Sequence, residues 1–174
     1  MTSPEDIELQ AHSAWEAGNR KRAFQLFHRG ADAGVVTCML NLGYFYSTGI
    51  GTRPDKAMAT YWYKRAYRRG DSAAASNIAV MYKEQGKRRL TFSWYGRSAA
   101  LEDGDSSLEL AKLYLSGCGV RRSIPSAKKH LQAALTSRCI TEASLEEAQE
   151  LMRKLVPRAG SNNSFKPTPL RGAA

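Results

Sequence analysis

Three histidines, three cysteines and two Gly-x-Gly turns are the parts of this chain with the residue types to do chemistry. A zinc site needs three or four His, Cys or carboxylate ligands converging at close spacing. His12, His28 and His130 fall in separate helical stretches, so no metal site is expected. Gly49 with Gly51, and Gly117 with Gly119, resemble a phosphate-binding loop in spacing alone. Neither pair follows a strand or precedes Gly-Lys-Ser/Thr, so both read as turns with positive φ. Cys118 sits between two of these glycines with Arg121 and Arg122 close behind, and reads as an exposed thiol. The chain contains no HExxH, no GxSxG and no nucleotide fingerprint, so the reading is non-catalytic, with no cofactor and no metal.

What must position these residues is a repeat. Tyr46, Tyr82 and Tyr114 each follow a residue in one slot, Leu26, Trp62 or Trp94, by 20 positions. Within a unit the interval takes two values: 16 from Tyr46 to Trp62 and from Tyr114 to His130, 12 from Ala14 to Leu26 and from Tyr82 to Trp94. Long and short turns therefore alternate, the long ones carrying the Gly-x-Gly pairs and the short ones Gly18-Asn19 and Gly86-Lys87. Around them the apolar residues recur at three- and four-residue spacing, for example Val36, Met39, Leu42, Gly43 and Tyr46, then Ala59, Trp62, Tyr63 and Ala66. The recurring aromatics are assigned to the core.

Ser3, Asn19, Asp55 and Ser123 are expected N-caps, and Asp32, Asp71 and Glu102-Asp103-Asp105 at the joins are expected to cap the helices that follow. The third unit presents Ala75, Ile78, Ala79, Tyr82, Trp94, Tyr95 and Ala99. The fourth presents Leu110, Ala111, Tyr114, Ala127, Leu131, Ala133 and Ala134. A last helix starts at Thr141 or at Ser144, where Ser144 and Glu147 form a capping box, and its Leu145, Ala148, Leu151, Met152 and Leu155 cover the final core surface.

Gly70-Asp71, Asn77-Ile78-Ala79-Val80-Met81-Tyr82, the Gly-x-Gly turn, Asp55-Lys56-Ala57 and Trp62-Tyr63-Lys64-Arg65-Ala66 together resemble the Sel-1-like repeat, a relative of the tetratricopeptide repeat. The resemblance spans roughly residues 5–156. It implies an all-α fold, a right-handed α-solenoid of four antiparallel helix-turn-helix repeats with a C-terminal capping helix. The repeats fall at about 4–33, 34–69, 70–101 and 102–138 and the cap at about 141–156, within a domain of residues 1–156. Residues 157–174 read as a disordered basic tail. The resemblance also implies a protein-binding scaffold whose first helices line a concave groove. Asn41 and Asn77 share one groove slot, and Tyr44 and Lys112 share another. Some cysteine-rich relatives resemble penicillin-binding hydrolases; the paired cysteines of that type are missing here.

Charge adds a second candidate surface. The chain carries a net +10, and residues 1–156 alone hold 23 bases and 16 acids. Arg20, Lys21 and Arg22, then Arg53, then Lys87, Arg88 and Arg89, then Arg121 and Arg122, fall in the inner turn of each unit. Stacking would line them along one edge, at the starts of second helices, where the dipole disfavours positive charge. The expected partner is another protein, with an acidic segment held in the groove or on this edge. Nucleic acid is the alternative, since a basic edge releases counterions from phosphates. No run of ~18 apolar residues could span a bilayer, the N-terminal stretch is acidic and polar, and the cysteines are odd in number. Membrane insertion is therefore not expected, and the chain reads as cytoplasmic.

Overall fold

The computed structural model describes residues 3–155, so the tail at 157–174 lies outside the described residues. The order is α1 (Pro4–Glu16), α2 (Arg20–Asp32), α3 (Val36–Thr48), α4 (Lys56–Tyr67), α5 (Ser72–Glu84), α6 (Arg88–Ala99), α7 (Gly104–Ser116), α8 (Ile124–Thr136) and α9 (Glu142–Leu155). Each helix packs on the next, which makes an all-α solenoid of four hairpins with α9 laid over the last. Odd-numbered helices form one layer and even-numbered helices the other.

The elements begin where their caps dictate. Ser3 and Asp6 make a reciprocal capping box, and Asn19, Asp55, Asp71, Asp103 and Ser123 each accept a backbone N–H from the first turn of the helix that follows. One expectation changes, and of two alternatives for the last helix one holds. Asp32 closes α2 and pairs with His28 at 2.9 Å, leaving α3 without a side-chain cap. The last helix starts from Thr141, whose carbonyl accepts from Leu145 N–H, rather than from Ser144.

Close approach of the layers needs one small residue per helix. Ala11, Gly43, Ala79, Ala111 and Ala148 fill that slot in the odd layer and are all buried. A Cβ on Gly43 would stand 2.5 Å from the Tyr63 ring. In the even layer the slot holds Gly30, Ala66, Ser98 and Ala134. Ser98 takes the slot expected of Ala99, which is only half-buried, and of the expected Ala133 and Ala134 only Ala134 is buried: the residue four after the slot position faces inward. Ser98 is tolerated because its hydroxyl donates to the Ser72 carbonyl at 2.9 Å. The large core runs from Ala11 to Leu110, and a smaller one joins Leu108, Ala111, Leu131 and Ala134 to Ala148 of α9.

The long turns reach back onto the preceding unit. Gly51 lies against the start of α2, where a Cβ would stand 2.5 Å from the Arg20 carbonyl oxygen. Gly119 lies in the same way against Arg88 at the start of α6. Gly18 and Gly86 of the short turns have equally positive φ, but a Cβ there would meet nothing within 4 Å. Gly51→Ala and Gly119→Ala should therefore cost clearly more in thermal unfolding than Gly18→Ala and Gly86→Ala, which lose only the ~1–2 kcal/mol of left-handed strain. Equal losses would mean that the long turns do not rest on their neighbours.

Glu102 occupies the position that Gly34 and Gly70 hold at the earlier joins, with φ 62 against their 97 and 89. Its carbonyl accepts the Ser137 hydroxyl at 2.6 Å, which ties the strained residue to the strap between α8 and α9. Relief of left-handed strain slightly exceeds the chain entropy that glycine adds, so Glu102→Gly should stabilise by about 0.5–1 kcal/mol. A lowered melting temperature would contradict this.

Candidate partner-binding surfaces

The inner-turn bases sit at helix starts or just before them. Arg20, Lys21 and Arg22 open α2, Arg53 precedes the Asp55 cap, Lys87 holds the N-cap position of α6 without a side-chain cap ahead of Arg88 and Arg89, and Arg121 with Arg122 precedes the Ser123 cap. All nine are exposed, and none forms an ion pair among the described residues. No first turn of α2, α4, α6 or α8 contains an acid. The Gly51 and Gly119 contacts bring the bases of turns one and two together, and those of turns three and four. Two are held by aromatic rings: the Arg20 guanidinium lies 4.8 Å from the Trp15 centroid, and the Lys87 ammonium 5.6 Å from Tyr82.

The groove positions divide. Tyr44 and Asn77 meet at a cavity of about 220 Å³ that Ser47, Lys56, Val80 and Glu84 also line. Tyr44 and Val80 are 43% and 41% exposed there. Asn41 instead donates its amide to the Thr37 carbonyl of its own helix at 2.9 Å. Lys112 is half-buried and already paired within the chain. Its ammonium bridges Glu109 at 2.9 Å and Glu147 at 2.7 Å, and Glu109 also takes Lys83 at 2.8 Å, so the network joins α5, α7 and α9. Burial would raise the Glu109 carboxyl, but the hydrogen bonds and charges of Lys83 and Lys112 outweigh it and hold the group below its ordinary range. Burial would lower Lys112, but Glu147 and Glu109 outweigh it and raise it. Asp105 is held in the same manner: burial opposes, and hydrogen bonds from Ser144 and from the Thr141 side chain and backbone win and lower it. With these contacts α9 packs on both helices of the fourth hairpin.

His130 and Cys38 take structural places, while Cys118 is half-buried rather than exposed as expected. His130 stacks on Tyr114 with centroids 5.4 Å apart, and burial, then Lys129, lowers it. Burial, then Glu8, pushes the Cys38 thiol up to about 12, which keeps it an unreactive core residue. No group of His, Cys, Asp and Glu among the described residues could hold a metal ion.

Residues that reading turn by turn missed lie on the even helices. Arg29, Arg65 and Arg97 each stand three after the slot residue, and the guanidinium groups of Arg65 and Arg97 lie 4.8 Å from Trp62 and 4.3 Å from Trp94. Their signal was the constant three-residue offset.

This geometry defines the class: an α-helical repeat scaffold with an exposed basic edge. A model of the Sel1 repeat matches residues 16–35, 36–71 and 105–137, and the chain belongs to the Sel1 repeat family. It is 31% identical over 116 residues to the ERAD-associated E3 ubiquitin-protein ligase component HRD3B of Arabidopsis thaliana, covering 63% of this chain and 18% of that protein. Its fold is similar to that of a Sel1 repeat protein from Oxalobacter formigenes, with TM-score 0.74 at 20% identity, covering 88% of this chain and 63% of that one. A second solved structure, c5321, a protective antigen of uropathogenic Escherichia coli strains displaying an SLR fold, gives TM-score 0.71 at 18% identity, covering 88% and 38%. The chain thus spans less than two thirds of each of these relatives. Sel1 repeat proteins generally mediate protein–protein interaction. No described helix is long and apolar enough to cross a membrane.

Proposed function

We propose that this chain is a non-catalytic scaffold that holds an acidic segment of a partner protein along the edge formed by its inner turns. The observation that carries this reading is the set of nine exposed bases at or just before the starts of all four even helices, where the Asp55 cap of α4 is the one carboxylate. Solvated turn residues have no reason to collect where the helix dipole opposes them, whereas an incoming carboxylate gains from both the bases and the dipole ends. The groove suits an acidic segment less well: α1 carries acids and no base, and Lys112 is already paired with Glu109 and Glu147. HRD3B is by its name a component of a larger assembly, and a component role suits an edge of this kind.

The test is capture of partners from the native cell on wild-type bait, on Lys87→Glu/Arg88→Glu/Arg89→Glu bait and on Arg68→Glu/Arg69→Glu bait. Arg65 is unsuitable as a control because it covers the Trp62 ring, while Arg68 and Arg69 are exposed. A partner retained by the control and lost by the edge variant is the expected result. Retention by both would remove the edge from the account.

A further inference from the structure

The charges of this chain separate by layer as well as by edge. The even helices α2, α4, α6 and α8 hold twelve bases and one acid, Asp32. The odd helices hold eleven acids and four bases. Those four, Lys83, Lys112, Arg153 and Lys154, all sit in ion pairs, and none of the twelve does among the described residues. Leaving twelve charges unpaired in one layer costs self-repulsion that an external anion would relieve.

Two further observations decide what kind of anion. First, the bases are spread over a helical layer instead of being gathered in a cleft, and apolar groups stand among them: Tyr61 is 49% exposed and Leu90 43%. Second, the guanidinium of Arg65 is pinned between two rings, 5.7 Å from Tyr61 and 4.8 Å from Trp62, with Nη1 3.4 Å from the Tyr61 hydroxyl, and Arg97 is pinned over Trp94. A pinned guanidinium loses less freedom when it meets a phosphate. From these features we infer that the even-helix layer docks on an anionic lipid bilayer surface. Arginine for the headgroups, with tyrosine and leucine entering the boundary between headgroup and chain, is the composition that interfacial binding requires. Nucleic acid would use the charge but gains nothing from Leu90, and the Trp62 and Trp94 rings on which its bases would stack are buried under arginines. The acidic layer then faces away from the bilayer. The inference does not depend on the acidic partner, and its test uses bases outside the edge.

The measurement is co-sedimentation of the full chain with vesicles of phosphatidylcholine mixed with phosphatidylserine, against phosphatidylcholine alone, at low and moderate salt. Binding is expected only to the anionic vesicles, and salt weakens it. Each base near such a surface is worth about fivefold in affinity, from ~1 kcal/mol per charge, so Arg29→Gln/Lys64→Gln/Lys129→Gln, on α2, α4 and α8, should weaken it on the order of a hundredfold. Arg53→Gln/Arg121→Gln/Arg122→Gln removes the same charge from the edge and should cost only severalfold. Tyr61→Ser/Leu90→Ser should weaken binding by a factor that salt does not change. Circular dichroism checks that each variant is folded. Equal losses in the two triple variants, equal binding to neutral vesicles, no binding, or preference for a duplex DNA competitor would each overturn the inference.

Discussion

Trp62→Ala should cost on the order of 3–5 kcal/mol and leave the chain poorly folded. Trp62 is 2% exposed, in a central unit, with its ring against His28 from the neighbouring hairpin and the Arg65 guanidinium over its face. Truncation opens a cavity between two hairpins, which a solenoid with only nearest-neighbour packing cannot close from elsewhere. Trp62→Phe separates packing from polarity. The indole N–H is buried without a protein acceptor, so phenylalanine gives up area while removing a desolvated donor, and the loss should be much smaller. Thermal unfolding followed by circular dichroism reads both. Unfolding of Trp62→Ala at the wild-type temperature would mean that the repeat frame is wrong.

The second large effect concerns α9. Removing residues 157–174 should leave the melting temperature nearly unchanged, whereas removing residues 141–156 as well strips Ala148, Leu151, Met152 and Leu155 from the small core. Side chains of this type contribute about 1.5–3 kcal/mol each when fully buried, so even partial burial makes the loss several kcal/mol, with aggregation through the bared α7–α8 face. Equal tolerance of both truncations would show that α9 is no cap. Its polar half gives a separate pH signature. Asp105 and Glu109 titrate below their ordinary values, so their stabilisation is present above the ordinary carboxylate range and is lost as pH falls through the folded values. Lys112 titrates above its ordinary value, so its share is present below that value and is lost as pH rises through the raised one. Asp105→Asn/Glu109→Gln should flatten the acid limb of the melting curve against pH.

The repeat frame was legible because packing enforces it: a small residue and an aromatic recur wherever two helices must touch, at intervals that a turn length fixes. Caps made by Asn19, Asp55, Asp71, Asp103 and Ser123 were legible for the same local reason. Ser98 was not, because alanine next to it has the right size, and only the inward geometry chooses between positions 98 and 99. The pairing of Lys112 was not legible for a related cause. Its partners lie on α7 and α9, and Glu147 is 35 positions away, a distance that no local pattern reports. The charge separation between layers was present in composition but becomes a surface only after helices are assigned alternately to two layers.

The central claim is that position on the edge, and not net charge, recruits the partner. It is tested most directly by association rates of the captured partner, measured at low and moderate salt for wild type, Lys87→Glu/Arg88→Glu/Arg89→Glu and Arg68→Glu/Arg69→Glu. The account predicts that the edge variant associates more slowly and with a flatter salt dependence, at unchanged helicity, while the control keeps the wild-type rate and slope. Equal slowing by both would make the effect one of total charge and contradict the account.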